Sequence, residues 1–114
     1  MENENNLKKY INNIDLILPA YNEENSIKKC INEFYSLKIF KRIIVIDNNS
    51  TDNTKIEIEK TKAIYIQEKQ QGYGASLIRG FKESQSDYII TCEPDLTFSH
   101  KDVFKFLIYF ECYQ

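Results

Sequence analysis

The chain has 114 residues, of which 42% are hydrophobic and 28% charged, and its formal net charge at pH 7 is −2. This length suits one modest domain with its own core, and the composition is ordinary for a soluble globular protein. The absence of a basic excess argues against nucleic acid as a partner. The longest apolar run, residues 106–110, is far shorter than the ~20 residues that a membrane-spanning helix requires. The polar, Asn-rich start shows no secretory signal.

The cysteine content predicts a reducing, cytoplasmic environment. The three cysteines, Cys30, Cys92 and Cys112, are odd in number and form no CxxC pair. We therefore expect free and mostly buried thiols. The single histidine, His100, argues against a structural zinc site, which would need a further cluster of ligands.

The first half of the chain predicts two strands and two helices. A polar lead-in, residues 1–13, is followed by a short apolar strand over residues 14–18, which we expect Pro19 to stop. Apolar residues at helical spacing predict a helix over residues 27–37. Four consecutive β-branched residues, 43–46, predict a strand covered on both faces, and residues 54–60 form a weaker helical pattern.

The second half continues the alternation. Residues 63–66 predict a third strand and residues 88–92 a fourth. Between them, Gly72 and Gly74 open a helix whose apolar positions are Leu77, Ile78 and Phe81. A capping box at Ser99 and Asp102 predicts a last helix through Phe110, apolar on nearly all faces, which a partner chain could cover.

This alternation predicts right-handed βαβ units in a Rossmann-like three-layer α/β/α fold with a mostly parallel sheet. In such sheets, ligands bind outside the carboxyl ends of the strands. A polar segment follows each predicted strand: residues 19–24, 47–52, 71–74 and 93–95. We expect these four segments to converge on one rim of the sheet.

Each segment also has a purely structural interpretation. Glu23 and Glu24 could be solvated charges at a helix start, where the helix dipole favours them, and the 47–52 segment could be a turn with an N-cap. Residues 93–95 could form a capped loop. The glycines could be turn glycines with positive φ. The Gly72 and Gly74 pair does not match a dinucleotide fingerprint, because Leu77 replaces the third glycine and the pair follows the third strand.

The most informative segment is Glu93-Pro94-Asp95, after the fourth strand. Two crowded carboxylates raise the pKa of each other and favour a cation between them. Mg²⁺ or Mn²⁺ is the usual cation of such all-oxygen sites, often shared with a substrate phosphate.

Together, the segments PAYNEENS, IIVIDNNSTDNT, GYGASLIRGF and DYIITCEPDLTF resemble those of family-2 glycosyltransferases. The resemblance is closest to the branch of the dolichyl-phosphate mannose synthases. It implies a partial GT-A fold in which residues 14–114 form a truncated, donor-binding domain. The catalytic residue and the acceptor half are then expected beyond residue 114.

The resemblance also assigns site residues. Nucleotide-sugar binding falls on matching positions, namely Pro19, Ala20, Tyr21, Glu23, Asp47, Asn48, Gly72, Gly74, Arg79 and Glu93. Asp95 matches the metal ligand, and Glu93 either contacts ribose or completes the surroundings of the metal. Asn48 replaces a second acidic residue of many relatives, and its amide could still read a base edge because it both donates and accepts hydrogen bonds.

The implied activity is inverting transfer of a sugar from a UDP- or GDP-linked donor to a polyprenyl-phosphate or saccharide acceptor, with peripheral association at the cytoplasmic membrane face. One alternative is a nucleotide-binding fragment without turnover, or one half of a split enzyme. A phosphatase of the haloacid-dehalogenase type is disfavoured, because Glu93 stands where that chemistry needs a nucleophilic aspartate. No carboxylate pair is singled out for a glycosidase.

Overall fold

The structure, a computed structural model, describes residue 8 and residues 10–94. Strands and helices alternate in the order β1 (Ile14–Ala20), α1 (Ile27–Ser36), β2 (Arg42–Asp47), α2 (Thr54–Glu59), β3 (Ile64–Gln67), α3 (Tyr73–Glu83) and β4 (Tyr88–Thr91). The four strands form one sheet in the order β3-β2-β1-β4, with parallel pairing throughout. The predicted α/β architecture is thereby confirmed. The predicted last helix lies outside the described residues.

The layers follow from the alternation of side chains along the central strands. Leu16 and Leu18 of β1 belong to a buried cluster with Ile31 and Phe34 of α1. The alternate residues point to the other face of the sheet, where a second buried cluster contains Ile17, Ile44 and Ile46. Helix α3 covers this second face through Gly80, which contacts Ile17. The sheet is therefore sandwiched between α1 and α2 on one side and α3 on the other.

The apolar positions of α3 do not form its most buried face. The buried residues of this helix are Ser76 and Gly80, whereas Ile78 and Phe81 are 55% and 49% exposed. A Cβ atom at Gly80 would collide with the side chain of Ile17. The small residues therefore set how closely α3 approaches the sheet, and the large apolar residues lie to the side and outside.

Pro19 does not stop β1, which continues through Ala20 and keeps its register with β2. The carbonyl of Ile17 accepts a hydrogen bond from the N–H of Cys92, so alternate residues Ile17 and Pro19 turn their backbone polar groups toward β4. Pairing with β4 ends at Ile17 and Thr91. The missing N–H of Pro19 therefore faces an edge that is no longer paired, where proline is tolerated.

The core extends into the segment predicted as a polar lead-in. Tyr10 is fully buried and packs edge-on against Tyr88, with ring centroids 4.8 Å apart. Cys30 and Cys92 are buried, as predicted, and Cys112 lies outside the described residues. Within residues 10–94, no helix is long and apolar enough to cross a bilayer.

Candidate functional site

The strand order places a crevice at one end of the sheet. The chain moves from β1 to β2 to β3 on one side and then returns to form β4 on the other side of β1. Ligands of open α/β sheets bind at such a switch point, outside the carboxyl ends of the strands. A cavity of about 410 Å³ lies there, within the usual range of small-ligand pockets. Its wall contains Pro19, Ala20, Tyr21, Glu23, Asn48, Gln71, Gly72, Tyr73, Ser76, Glu93 and Pro94.

All four predicted polar segments contribute to this wall. Seven residues of the predicted nucleotide-sugar set lie in it, namely Pro19, Ala20, Tyr21, Glu23, Asn48, Gly72 and Glu93. Of the other wall residues, Gln71, Tyr73 and Pro94 lie in the predicted polar segments but were assigned no binding role, and Ser76 lies outside those segments. Tyr73 and Ser76 are three residues apart in α3, and this helical spacing after Gly72 was the available signal.

Asp47 lies behind the wall of the cavity. Its Oδ1 accepts a hydrogen bond from the N–H of Ser50 at 3.1 Å, and its Oδ2 accepts one from the hydroxyl of Tyr65 at 2.6 Å. Burial and this hydrogen bond raise the pKa of Tyr65 above its usual value. Both carboxylate oxygens of Asp47 thus hold protein groups, and its predicted contact with the nucleotide stays a prediction.

Gly74 and Arg79 lie along a separate groove beside α3, which also includes Glu68. The guanidinium of Arg79 pairs with Glu83 at 3.1 Å and with Glu68 at 3.8 Å. These two predicted site residues are therefore not brought into the cavity with the others.

The loops after β1 and β2 are joined by reciprocal hydrogen bonds. The N–H of Asn22 donates to Ser50 Oγ at 2.9 Å, and Asn22 Oδ1 accepts from the N–H of Thr51 at 2.8 Å. The N–H of Glu23 donates to Thr54 Oγ1 at 2.8 Å. These bonds fix the path of the first loop, which carries Tyr21 and Glu23 to the cavity.

The loops after β2 and β3 are joined by two asparagines. Asn48 Nδ2 donates to the carbonyls of Glu68 and Gln70 at 3.0 and 2.7 Å, and its Oδ1 accepts from the N–H of Gly72 at 2.9 Å. Asn49 Nδ2 donates to the carbonyl of Lys69 and to Gln71 Oε1, both at 3.1 Å. Loop 68–72, which these bonds hold, provides Gln71 and Gly72 to the cavity wall.

The end of β4 is attached to the start of α1. Ser26 stands at the N-cap of α1 but makes no capping hydrogen bond. Its hydroxyl donates instead to the carbonyl of Pro94 at 2.8 Å. Ser26 therefore forms this hydrogen bond in place of a capping one. The bond holds the segment that carries Glu93 beside the first loop.

The wall offers two flat aromatic surfaces. Tyr21 and Tyr73 are 52% and 54% exposed and belong to different segments of the wall. A tyrosine ring combines a large apolar face with a polar hydroxyl, which suits contact with a planar, partly polar ligand.

The metal expectation depends on Glu93 and Asp95. Glu93 is exposed and lies in the cavity wall, whereas Asp95 lies outside the described residues. Within residues 10–94, no group of three or more His, Cys, Asp or Glu side chains is arranged to hold a metal. Mg²⁺ is commonly held by one or two carboxylates together with substrate phosphates. The exposed carboxylate of Glu93 fits such a shared site.

Comparison with known proteins supplies the family. Residues 15–112 match the model of glycosyl transferase family 2. The chain belongs to this family. Protein RfbJ of Shigella flexneri is 35% identical to this family-2 chain over 86 residues, covering 75% of the chain and 67% of RfbJ. The undecaprenyl-phosphate 4-deoxy-4-formamido-L-arabinose transferase of Proteus mirabilis is 27% identical, covering 75% of the chain and 30% of that protein.

A solved structure agrees with this family-2 assignment. Glucosyl-3-phosphoglycerate synthase from Mycobacterium tuberculosis, in complex with Mn²⁺, UDP and phosphoglyceric acid, superposes with a TM-score of 0.70 and 25% identity. The match covers 82% of this chain and 36% of the synthase. The chain thus spans about two thirds of RfbJ and about a third of the other two proteins.

Proposed function

We propose that the cavity binds the nucleoside diphosphate of a nucleotide sugar together with Mg²⁺ or Mn²⁺, for inverting sugar transfer. The observation that carries this proposal is the convergence of all four strand-following segments on one cavity at the switch point of the sheet. The UDP and Mn²⁺ complex of the related synthase supports it. A uracil or guanine base is the planar ligand that the faces of Tyr21 and Tyr73 suit.

The residues of the cavity divide by chemistry. Gly72 has no side chain, so the backbone at the start of α3 can lie close to a bound diphosphate. Glu93 and Asp95 are the carboxylates proposed to hold the cation. When bound, the cation neutralises negative charge that grows on the departing nucleoside diphosphate. In the transfer, the bond from the anomeric carbon to the diphosphate oxygen breaks as the acceptor oxygen bonds to that carbon from the opposite face.

The acceptor determines whether a general base is needed. A polyprenyl phosphate is already anionic at neutral pH, whereas a saccharide hydroxyl must lose a proton during attack. The name of the Proteus mirabilis relative includes undecaprenyl phosphate. We therefore propose a polyprenyl phosphate as the first acceptor to test and a saccharide as the second.

A second candidate function is nucleotide binding without sugar transfer by this chain. Glu23 and Glu93 are the acidic side chains of the cavity wall within the described residues. Both side chains lie in segments that the family resemblance assigns to binding of the sugar donor. A carboxylate that could serve as a base for a saccharide acceptor is therefore not identified among residues 10–94.

Calorimetric titration with UDP, GDP and dTDP, each with and without Mn²⁺, tests the donor proposal. We expect at least one nucleotide to bind, more tightly with Mn²⁺, and Asp95→Ala to weaken that binding sharply. Asp87→Ala is the matched control, because Asp87 is exposed and precedes β4 at the other end of the sheet. Failure of all three nucleotides to bind contradicts the proposal, and binding that is independent of metal contradicts the role of Asp95.

A transfer assay separates the two candidate functions. The sugar donor carries a nucleotide that binds the chain. It is incubated with Mn²⁺ and either a polyprenyl phosphate or a saccharide, and formation of the glycosylated product is measured. Product supports sugar transfer by the chain. Tight nucleotide binding with no product from either acceptor class supports binding without turnover.

A further inference from the structure

We propose that Asn48 and Asn49 act as a clamp that positions loop 68–72, and that Asn48 does not read the nucleotide base. We call this pair the asparagine clamp. The inference rests on the proposed function, because loop 68–72 supplies part of the cavity wall. Asn48 then has a positioning role in place of the base-reading role that the family resemblance suggested.

Three of the four hydrogen bonds that the Asn48 amide can make are formed with protein groups. A side-chain amide has two N–H donors and one oxygen with two acceptor lone pairs. Both donors go to backbone carbonyls, of Glu68 and Gln70, and the oxygen accepts from the N–H of Gly72. Asn48 is only 6% exposed. A base could accept a hydrogen bond from Asn48 only if a part-buried carbonyl lost its partner, which is unfavourable. The one contact left to a base is donation to the second lone pair of Oδ1, and the burial of Asn48 disfavours it.

Asn49 makes the same kind of contact from outside the cavity wall. It adopts φ +66°, a left-handed conformation that asparagine tolerates. In this conformation its amide donates to the carbonyl of Lys69 and to Gln71 Oε1. Two adjacent asparagines thus direct four N–H donors at four consecutive residues of one loop.

The clamp controls how the chain enters α3. Gly72 has φ +120° and ψ +153°, a region that is essentially restricted to glycine. Its N–H is held by Asn48 Oδ1. If the clamp is weakened, loop 68–72 adopts its binding conformation in a smaller fraction of the molecules. The apparent Kd then rises by the inverse of that fraction, by the same factor for every base.

The decisive variant is Asn49→Gly, because glycine keeps the positive φ and removes only the amide. Asn12→Gly is its matched control. Asn12 also has a positive φ, of +62°, but it precedes β1 at the opposite end of the sheet. The full 114-residue chain is titrated with UDP, GDP and CDP in Mn²⁺, and hydrogen exchange of the amides of residues 68–74 is followed in parallel.

We expect Asn49→Gly to raise the Kd of each nucleotide that binds by about five- to tenfold, through the loss of two hydrogen bonds. It should also accelerate exchange of the Gly72 amide, while Asn12→Gly changes neither quantity. Unchanged affinity in Asn49→Gly overturns the clamp. If the wild-type chain binds no nucleotide, the donor proposal fails separately, and unchanged exchange in residues 68–72 of Asn49→Gly would still overturn the clamp.

Asn48→Asp distinguishes positioning from base reading. Aspartate keeps an oxygen that can accept from the N–H of Gly72, but it places a second oxygen where Nδ2 lies 2.7 Å from the carbonyl of Gln70. Positioning predicts weaker binding of all nucleotides with their ranking preserved. A changed ranking among UDP, GDP and CDP would show that residue 48 reads the base and would overturn the inference.

Discussion

Asp15, which is fully buried in β1, is the centre of a network of hydrogen bonds. The guanidinium of Arg42 donates to both of its carboxylate oxygens, at 2.6 and 3.3 Å. The hydroxyls of Ser84 and Ser86 and the N–H of Gln85 also donate to it, at 2.8 to 3.0 Å. Burial alone would raise the pKa of Asp15, but these hydrogen bonds outweigh it and lower that pKa well below the usual range.

The buried charge of Asp15 predicts that the free energy of unfolding decreases in acid. Because the folded pKa of Asp15 is depressed, its stabilisation is fully present above the unfolded value of ~3.9 and is lost as the pH falls below that value. Asp15→Asn leaves the Arg42 charge without its partner, and we expect it to cost about 3 kcal/mol at pH 7. Urea unfolding at pH 7 and pH 3 should show this difference shrinking at the lower pH.

Asp87→Asn is the control for that experiment. Asp87 is exposed and accepts a hydrogen bond from Asn13 Nδ2 at 3.0 Å. A surface change of this kind should alter the free energy of unfolding by less than about 0.5 kcal/mol at either pH. A cost for Asp15→Asn that is equally small, or that does not depend on pH, would contradict the stabilising role of the buried carboxylate.

Among the elements, α3 illustrates packing through a small residue. Gly80 lies in its interior and faces Ile17 of β1, whose β-branched side chain has little freedom at χ1. Alanine in place of glycine usually stabilises a helix interior by ~1 kcal/mol. At this contact the added methyl group must displace Ile17 or the helix, an overpacking cost of about 1–3 kcal/mol.

We therefore expect Gly80→Ala to lower the free energy of unfolding by about 1 kcal/mol, against the helix propensity. Gly74→Ala provides the comparison in the same helix, because no atom lies within 4 Å of the Cβ that it would add. That variant should be neutral or slightly stabilised in thermal and urea unfolding. An increase in stability for Gly80→Ala would show that α3 can move away from β1 at little cost.

Helices and strands could be predicted where the residues that determine them are close together in the sequence. The helical spacing of Ile27, Cys30, Ile31 and Phe34 predicted helix α1, and these four residues form its buried face. The burial of Gly80 could not be predicted in this way, because it depends on Ile17, which is distant in sequence. The continuation of β1 through Pro19 likewise depends on where its pairing with β4 ends.

At the site, the order of the four segments predicted which loops meet, because the carboxyl ends of parallel strands share one edge. The roles of individual side chains were harder to predict from the sequence. The partners of Asn48 are carbonyls of residues 68 and 70, which carry no sequence signal of their own. The resemblance assigned Arg79 to nucleotide-sugar binding, but Arg79 pairs with Glu68 and Glu83 and lies along another groove.

In the molecule as a whole, the two ends of the sheet differ in role: one carries a stabilising network and the other carries the proposed binding site. The Asp15 network joins β1 and β2 to the segment before β4 at the amino ends of the strands. The cavity and the asparagine clamp lie at their carboxyl ends. Ala20 is five positions after Asp15 along β1, a distance of about 16 Å at the usual rise of ~3.3 Å per residue. The groups that stabilise the fold are thus remote from those proposed to bind the ligand.

This separation predicts that the double variant Asp15→Asn/Asn49→Gly combines its effects independently. Sites more than ~10 Å apart that share no partners usually add within about 0.5 kcal/mol. Urea unfolding of the two single variants and the double variant should therefore give additive losses of stability. At temperatures where all variants stay folded, the nucleotide Kd of the double variant should equal that of Asn49→Gly alone. A further rise in Kd on adding Asp15→Asn would show that the two ends of the sheet are coupled.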